Sequence, residues 1–162
     1  MRKIIVQPKD GKPAFYFSPL DRGRKSETVT TEKCFRCFGG MLLMKKREGA
    51  KAEYPQAGVY VWHILPGCKN YVTAITKYLF ERIQFMSQSY EFETMFRCGG
   101  LIDTPQNEYR YDQMYKKIET QFLYLFPHVP ILGDTPLPET LFMALRLEKD
   151  QFFIVHEKQV SR

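Results

Sequence analysis

The chain has 162 residues, of which 44% are hydrophobic, 15% aromatic and 26% charged, and its formal net charge is +6. This aromatic content excludes a disordered or low-complexity protein, and the length predicts a single domain over residues 1–162. No apolar run approaches the ~20 residues of a membrane-spanning helix or the roughly 7–15 of a secretory signal. We therefore expect a cytoplasmic protein with no membrane association, whose four cysteines are reduced.

The chain begins with a pattern typical of a β-hairpin. Lys3–Gln7 and Ala14–Phe17 are rich in β-branched and aromatic residues and flank a turn-rich segment. Asp10-Gly11 within that segment suits the positive φ angles of a tight turn. The pattern therefore predicts a hairpin, followed by an exposed loop at 18–26.

Three further strands are expected before the middle of the chain. Residues 28–31 and 40–44 favour strands, and Gly39-Gly40 predicts a bulge or turn between them. Residues 58–65 form the clearest strand, because β-branched and aromatic residues run through it until Pro66-Gly67.

The remainder of the chain, 52–162, is expected to be richer in helices than the basic segment 1–51. Between about Asn70 and Ser87, apolar residues recur at steps of three and four, which predicts a deeply packed helix with Asn70 as its N-cap. Further helices are expected from Thr104-Pro105 to Pro127 and over 135–147, and strands over 90–96 and 152–155. Because strands and helices do not alternate regularly, we predict an α+β fold with one antiparallel or mixed sheet of five to six strands and about three helices.

The spacing of two cysteines matches a known metal-binding chemistry. Cys34 and Cys37 are separated by two residues, as in zinc sites, where thiolates bind a tetrahedral ion. A complete site needs two more donors, which His63, Cys68 and Cys98 can supply. The sequence thus offers a structural zinc site at Cys34, Cys37, Cys68 and Cys98; the alternative is that these thiols simply pack.

The segments around two of these cysteines have similar sequences. Phe35-Arg-Cys-Phe-Gly-Gly resembles Phe96-Arg-Cys-Gly-Gly apart from one inserted residue. The similarity marks two related halves or two similar strand junctions, but over so few positions chance is the favoured explanation.

No catalytic constellation is visible in the sequence, and we predict no catalytic residue. There is no Gly-x-Ser-x-Gly elbow and no phosphate-cradling loop, and the three histidines have different surroundings. An enzyme with a Cys/His site is the least favoured reading of this chain.

The basic residues are unevenly distributed. Residues 1–51 hold 13 basic and 5 acidic residues, whereas the remainder holds 11 and 13. A cationic cluster of this kind can contact the phosphates of nucleic acid or an acidic protein surface, although a solvated basic loop is the simpler alternative. The candidate residues are Arg22, Arg24, Lys25, Lys45, Lys46 and Arg47.

Tyrosines are concentrated on the second predicted helix. Tyrosine is a good interface residue because it combines a large rigid area with a polar tip. The candidates for a partner-binding face are Tyr109, Tyr111, Tyr115 and Tyr124. We expect a non-enzymatic binding module that uses the basic segment; the alternative is a protein-interaction, inhibitor or adaptor module, or a homo-oligomer, that uses the tyrosines.

Overall fold

The computed structural model describes residues 3–19, 28–34, 37–65, 73–99, 104–106, 109, 116–132, 140–148 and 151–158; for the last two ranges only the backbone is described. Nine strands lie in these ranges: β1 (Lys3–Ile5), β2 (Ala14–Pro19), β3 (Thr28–Cys34), β4 (Phe38–Lys46), β5 (Ala57–Ile64), β6 (Tyr90–Gly99), β7 (Ile131–Leu132), β8 (Thr140–Glu148) and β9 (Gln151–Lys158). The first helix consists of a π-helical segment, Ala74–Glu81, that continues into α1 (Arg82–Ser87). A second helix, α2, spans Lys117–Leu125.

The described strands form two mixed sheets. The larger has the order β2-β5-β4-β6-β7, and all its pairs are antiparallel except β6 and β7. The smaller has the order β1-β3-β8-β9, in which only β1 and β3 are parallel. The predicted mixture of helices with a mixed sheet of five strands is confirmed, whereas the prediction of a single sheet is wrong.

The five-stranded sheet is the middle layer of the described structure. Along β5, Val59 and Val61 pack with Val29 of the smaller sheet, while Tyr60 and Trp62 pack with the helices. A strand buried on both faces is apolar at successive positions rather than at alternate ones, which explains the unbroken apolar character of this segment.

The glycine pair 39–40 lies inside β4 rather than between two strands, so the predicted bulge or turn at this point is wrong. Gly40 is directly opposite Trp62 in β5, and a Cβ atom at position 40 would overlap the indole ring. Glycine is used here for close approach of a ring to the backbone, not for a reversal of the chain.

The predicted turn near the N-terminus is present, but the hairpin is not. Asp10 and Gly11 have φ angles of 54° and 72°, and the Lys12 N–H donates to the Lys9 carbonyl over 3.0 Å. The flanking strands then separate, because β1 pairs with β3 and β2 with β5. Pro8 and Pro13 lie immediately outside the isolated β-bridge between Lys9 and Lys12. Because proline has no N–H, neither residue can donate the hydrogen bond that would extend this pairing.

The C-terminal region differs most from expectation. Thr140–Glu148, predicted as part of a third helix, is a strand between β3 and β9, because pairing with two strands outweighs a weak helical preference. The other two helices are as expected where they are described, ending at Ser87 and at Leu125 before Pro127, whereas the proposed cap Asn70 lies outside the described residues. None of the helices in the described ranges is long and apolar enough to cross a membrane.

Candidate functional site

The second basic cluster, residues 45–47, is partly engaged in the fold. Lys45 is exposed and lies directly opposite Glu91 of β6. Lys46 Nζ donates to the Tyr54 carbonyl over 3.2 Å, and Arg47 Nε donates to the Ser87 carbonyl over 2.9 Å. The first of these bonds holds the β4–β5 loop, and the second places a cation at the negative end of the first helix.

The first basic cluster, Arg22, Arg24 and Lys25, lies outside the described residues, but its point of departure is defined. The chain leaves β2 at Pro19, opposite Gly58 of β5. The neighbouring Ala57 is paired with Lys45. The segment that carries the first cluster therefore starts from the sheet end at which the second cluster lies.

The tyrosine candidates are only partly described. Tyr109 and Tyr124 are 66% and 85% exposed, whereas Tyr111 and Tyr115 fall in the undescribed part of the chain. The structure adds further large apolar side chains that the helices expose to solvent. We define the helical apolar surface as Tyr78, Phe85, Tyr109, Leu123 and Tyr124.

Sequence reasoning missed Tyr78 and Phe85, because the prediction of a deeply packed first helix assigned its apolar residues to the core. In the structure one stripe, which includes Leu79 and Ile83, is buried, and the other, with Tyr78 and Phe85, faces solvent. The available signal was the width of the apolar arc, since a helix that rests on one sheet face buries only about half of its circumference.

The cysteine candidates are spread over three described strand regions. Cys34 ends β3, Cys98 lies in β6, and the half-buried Cys37 immediately precedes β4 and forms no disulfide. No group of three or more metal-ligating side chains occurs among those described, a set that includes neither Cys68 nor the side chains of Cys34 and Cys98.

His63 is the centre of a buried polar cluster between the two sheets. Its Nδ1 lies 2.8 Å from Oγ1 of Thr31 in β3, and both residues are buried. The Thr31 hydroxyl donates its hydrogen to Gln7 Oε1 over 3.3 Å. The contact between His63 and Thr31 ties β5 of the larger sheet to β3 of the smaller one.

Burial perturbs two acidic side chains near the helices. Burial raises the pKa of Tyr60 far above its usual value, so this hydroxyl stays protonated and donates to the Tyr78 carbonyl. Burial also raises the pKa of Glu119, although Arg97 Nε, 2.8 Å from its Oε1, opposes the shift. Both groups link the helices to the sheet.

Comparison of this chain with protein-family models, with curated proteins and with solved structures finds no match. Its function therefore has to follow from the geometry of the chain itself.

Proposed function

We propose that this protein is a binding module that engages a partner protein through its helical apolar surface. The observation that carries the proposal is the exposure of Tyr124, Phe85 and Tyr78, which are 85%, 59% and 58% accessible to solvent. Aromatic side chains of this size bury about 150–250 Å² each and are enriched at interfaces.

These side chains lie outside the buried contacts that attach the helices to the sheet, although the ring of Tyr78 lies beside that of Phe15 in β2, with 5.7 Å between the centroids. The first helix is held by buried residues such as Ile83 and Met86, and α2 by Ile118 and Phe122. Exposed aromatic residues on the opposite side lower solubility without adding to this core, which is the pattern expected of a surface that a partner covers. The partner is another protein or a second copy of this chain.

The test compares the wild-type protein with a Tyr78→Ser/Phe85→Ser/Tyr124→Ser variant. Quantitative affinity capture from the source cells, together with light scattering over a range of concentrations, should show a partner or an oligomer that the variant loses at least tenfold. Gln84→Ser, an exposed neighbour of Phe85, is the matched control and should retain the complex. Equal capture by the triple variant, or a strict monomer with no enriched protein, contradicts the proposal.

A second candidate function is binding of nucleic acid or an acidic protein surface by the basic segment. It is supported by one observation, the departure of the segment with Arg22, Arg24 and Lys25 from the sheet end that carries Lys45. It ranks second because Lys46 and Arg47 already bond to backbone carbonyls.

Salt dependence separates this candidate from the first. Affinity for mixed-sequence DNA or RNA should fall steeply as the salt concentration rises, and Arg22→Ala/Arg24→Ala/Lys25→Ala should reduce it. Lys9→Ala/Lys12→Ala is the control, because this turn adjoins Ala14, which pairs with His63 at the other end of β5. Undetectable binding at low salt, or an equal loss in both variants, refutes the assignment.

A further inference from the structure

The register of the five-stranded sheet places one histidine and one cysteine on either side of a glycine. Gly39 of β4 lies directly opposite His63 of β5 and directly opposite Cys98 of β6. Directly opposite residues on antiparallel strands share a face of the sheet. The three positions therefore form one row, and its middle position has no side chain.

The row lies on the face of the five-stranded sheet that packs against the smaller sheet. His63 contacts Thr31 of β3 there, and in β6 Phe96 packs against the cluster between the sheets. Arg97 lies on the other face, where it pairs with Glu119 of α2. Because successive positions alternate between the two faces of a sheet, position 98 lies on the same face as Phe96.

Two further cysteines adjoin this row. Cys37 precedes Gly39 by two residues and lies immediately before the first residue of β4. Cys34 ends β3, the strand that provides Thr31, and the register of β3 shifts between these two residues. Cys34 and Cys37 also have the two-residue spacing of paired zinc ligands.

His63 is held in place by a residue of the opposing sheet. Its Nδ1 lies 2.8 Å from the hydroxyl of the buried Thr31. Histidine ligands of metals usually donate their other N–H to a fixed acceptor, which sets the tautomer and the ring orientation. The Thr31 hydroxyl is a suitable acceptor of this kind.

We propose that Cys34, Cys37, His63 and Cys98 bind one Zn²⁺ ion between the two sheets, next to Gly39. Three thiolates and one imidazole form a closed tetrahedral set of the kind found in structural zinc sites, and the three thiol protons pass to solvent on binding. The ion joins β3 of the smaller sheet to β4, β5 and β6 of the larger. The two Phe-Arg-Cys segments, which begin at Phe35 and Phe96, then each supply one ligand, Cys37 and Cys98.

The first measurement is the metal content of the full-length wild-type protein, produced with supplemented zinc and purified without a chelator. We expect one zinc per chain, and X-ray absorption should show three sulfur neighbours at about 2.3 Å and one nitrogen at about 2.0–2.1 Å. Protein that contains no zinc, and that binds none when Zn²⁺ is titrated against a chromophoric chelator, overturns the proposal.

Substitutions then test the ligand set. Cys98→Ser and His63→Gln should lose the stoichiometric zinc, whereas His63→Cys, which supplies a fourth thiolate, should retain it. Cys68→Ser is the matched control and should keep one equivalent. Full zinc retention in Cys98→Ser, or loss in Cys68→Ser, refutes this ligand set. If Cys98→Ser and His63→Gln fail to fold, the ligand set is tested by the zinc content of His63→Cys and Cys68→Ser and by the X-ray absorption spectrum of the wild-type protein.

Discussion

Substitution of Gly40 by alanine should destabilise the protein through a collision with one side chain. The added Cβ would overlap Cε2 and Cζ2 of Trp62, which is fully buried. The indole cannot move aside freely, because the rings of Phe38 and Tyr60 lie 6.0 and 6.2 Å from it, measured between ring centroids. Overpacking of a rigid core costs about 1–3 kcal/mol, and this site belongs in the upper part of that range.

Part of this cost is offset, because alanine restricts the unfolded chain more than glycine does, by about 0.4–1 kcal/mol. The free energy of unfolding of Gly40→Ala should therefore fall by about 2 kcal/mol, which is roughly a 30-fold change in the ratio of folded to unfolded protein. Gly58→Ala provides the comparison. Its Cβ meets the end of the Phe17 ring, which is only half-buried and can rotate away, so its cost should be smaller.

The assay is urea denaturation followed by far-UV circular dichroism in a double-mutant cycle. A leucine at position 62 does not reach the positions of the indole atoms that collide, so Gly40→Ala should be nearly neutral in the Trp62→Leu background. The coupling between the two positions is then about 2 kcal/mol. An equal cost of Gly40→Ala in both backgrounds, or a larger cost for Gly58→Ala, would show that the close approach of the ring does not explain the glycine.

Three further substitutions test other contacts. Because the pKa of Glu119 is raised in the folded state, its contribution to stability is present below its ordinary pKa and is lost as pH rises through the raised value. Glu119→Gln should therefore gain stability relative to wild type as the pH rises above the ordinary pKa of the carboxyl group, and a constant difference in urea midpoint would contradict this. Tyr60→Phe removes the bond to the Tyr78 carbonyl and should cost about 0.5–1.5 kcal/mol in denaturant titrations, whereas no loss would mean that this bond adds nothing net. Gly11→Ala places a Cβ at a φ of 72° and should lower stability by about 1–2 kcal/mol, unless an unchanged melting temperature shows that the turn can relax.

Local pattern was a good guide wherever one face of an element decided its structure. The alternation over β6 and the apolar run over β5 were recognised as strands, and the spacing of apolar residues located the first helix. Pattern failed where long-range pairing decided: 140–148 has helix-forming residues, yet it pairs with β3 and β9. Gly39-Gly40 resembled a turn because a sequence does not show which ring lies above a glycine.

For the same reason, only some residues of the candidate sites could be predicted from the sequence. The cysteines and the exposed Tyr109 and Tyr124 were named as residue types with a suitable chemistry. Tyr78 and Phe85 were hidden in an apolar stripe whose outward direction depends on how the helix rests on the sheet. His63 was named only as one possible donor beside Cys68 and Cys98, since its contact with Thr31 joins residues 32 positions apart.

By itself, the sequence determined the α+β class, most strand positions, the Asp10-Gly11 turn and the apolar run of β5, because each depends on neighbours within a few residues. Only the tertiary structure decided that the strands divide between two sheets and that β1 and β2 separate after their shared turn. Tertiary structure also decided that His63, Gly39 and Cys98 lie in one row. The physical reason is that register and layering depend on which distant surfaces are buried against one another, and this is a property of the whole chain rather than of any segment.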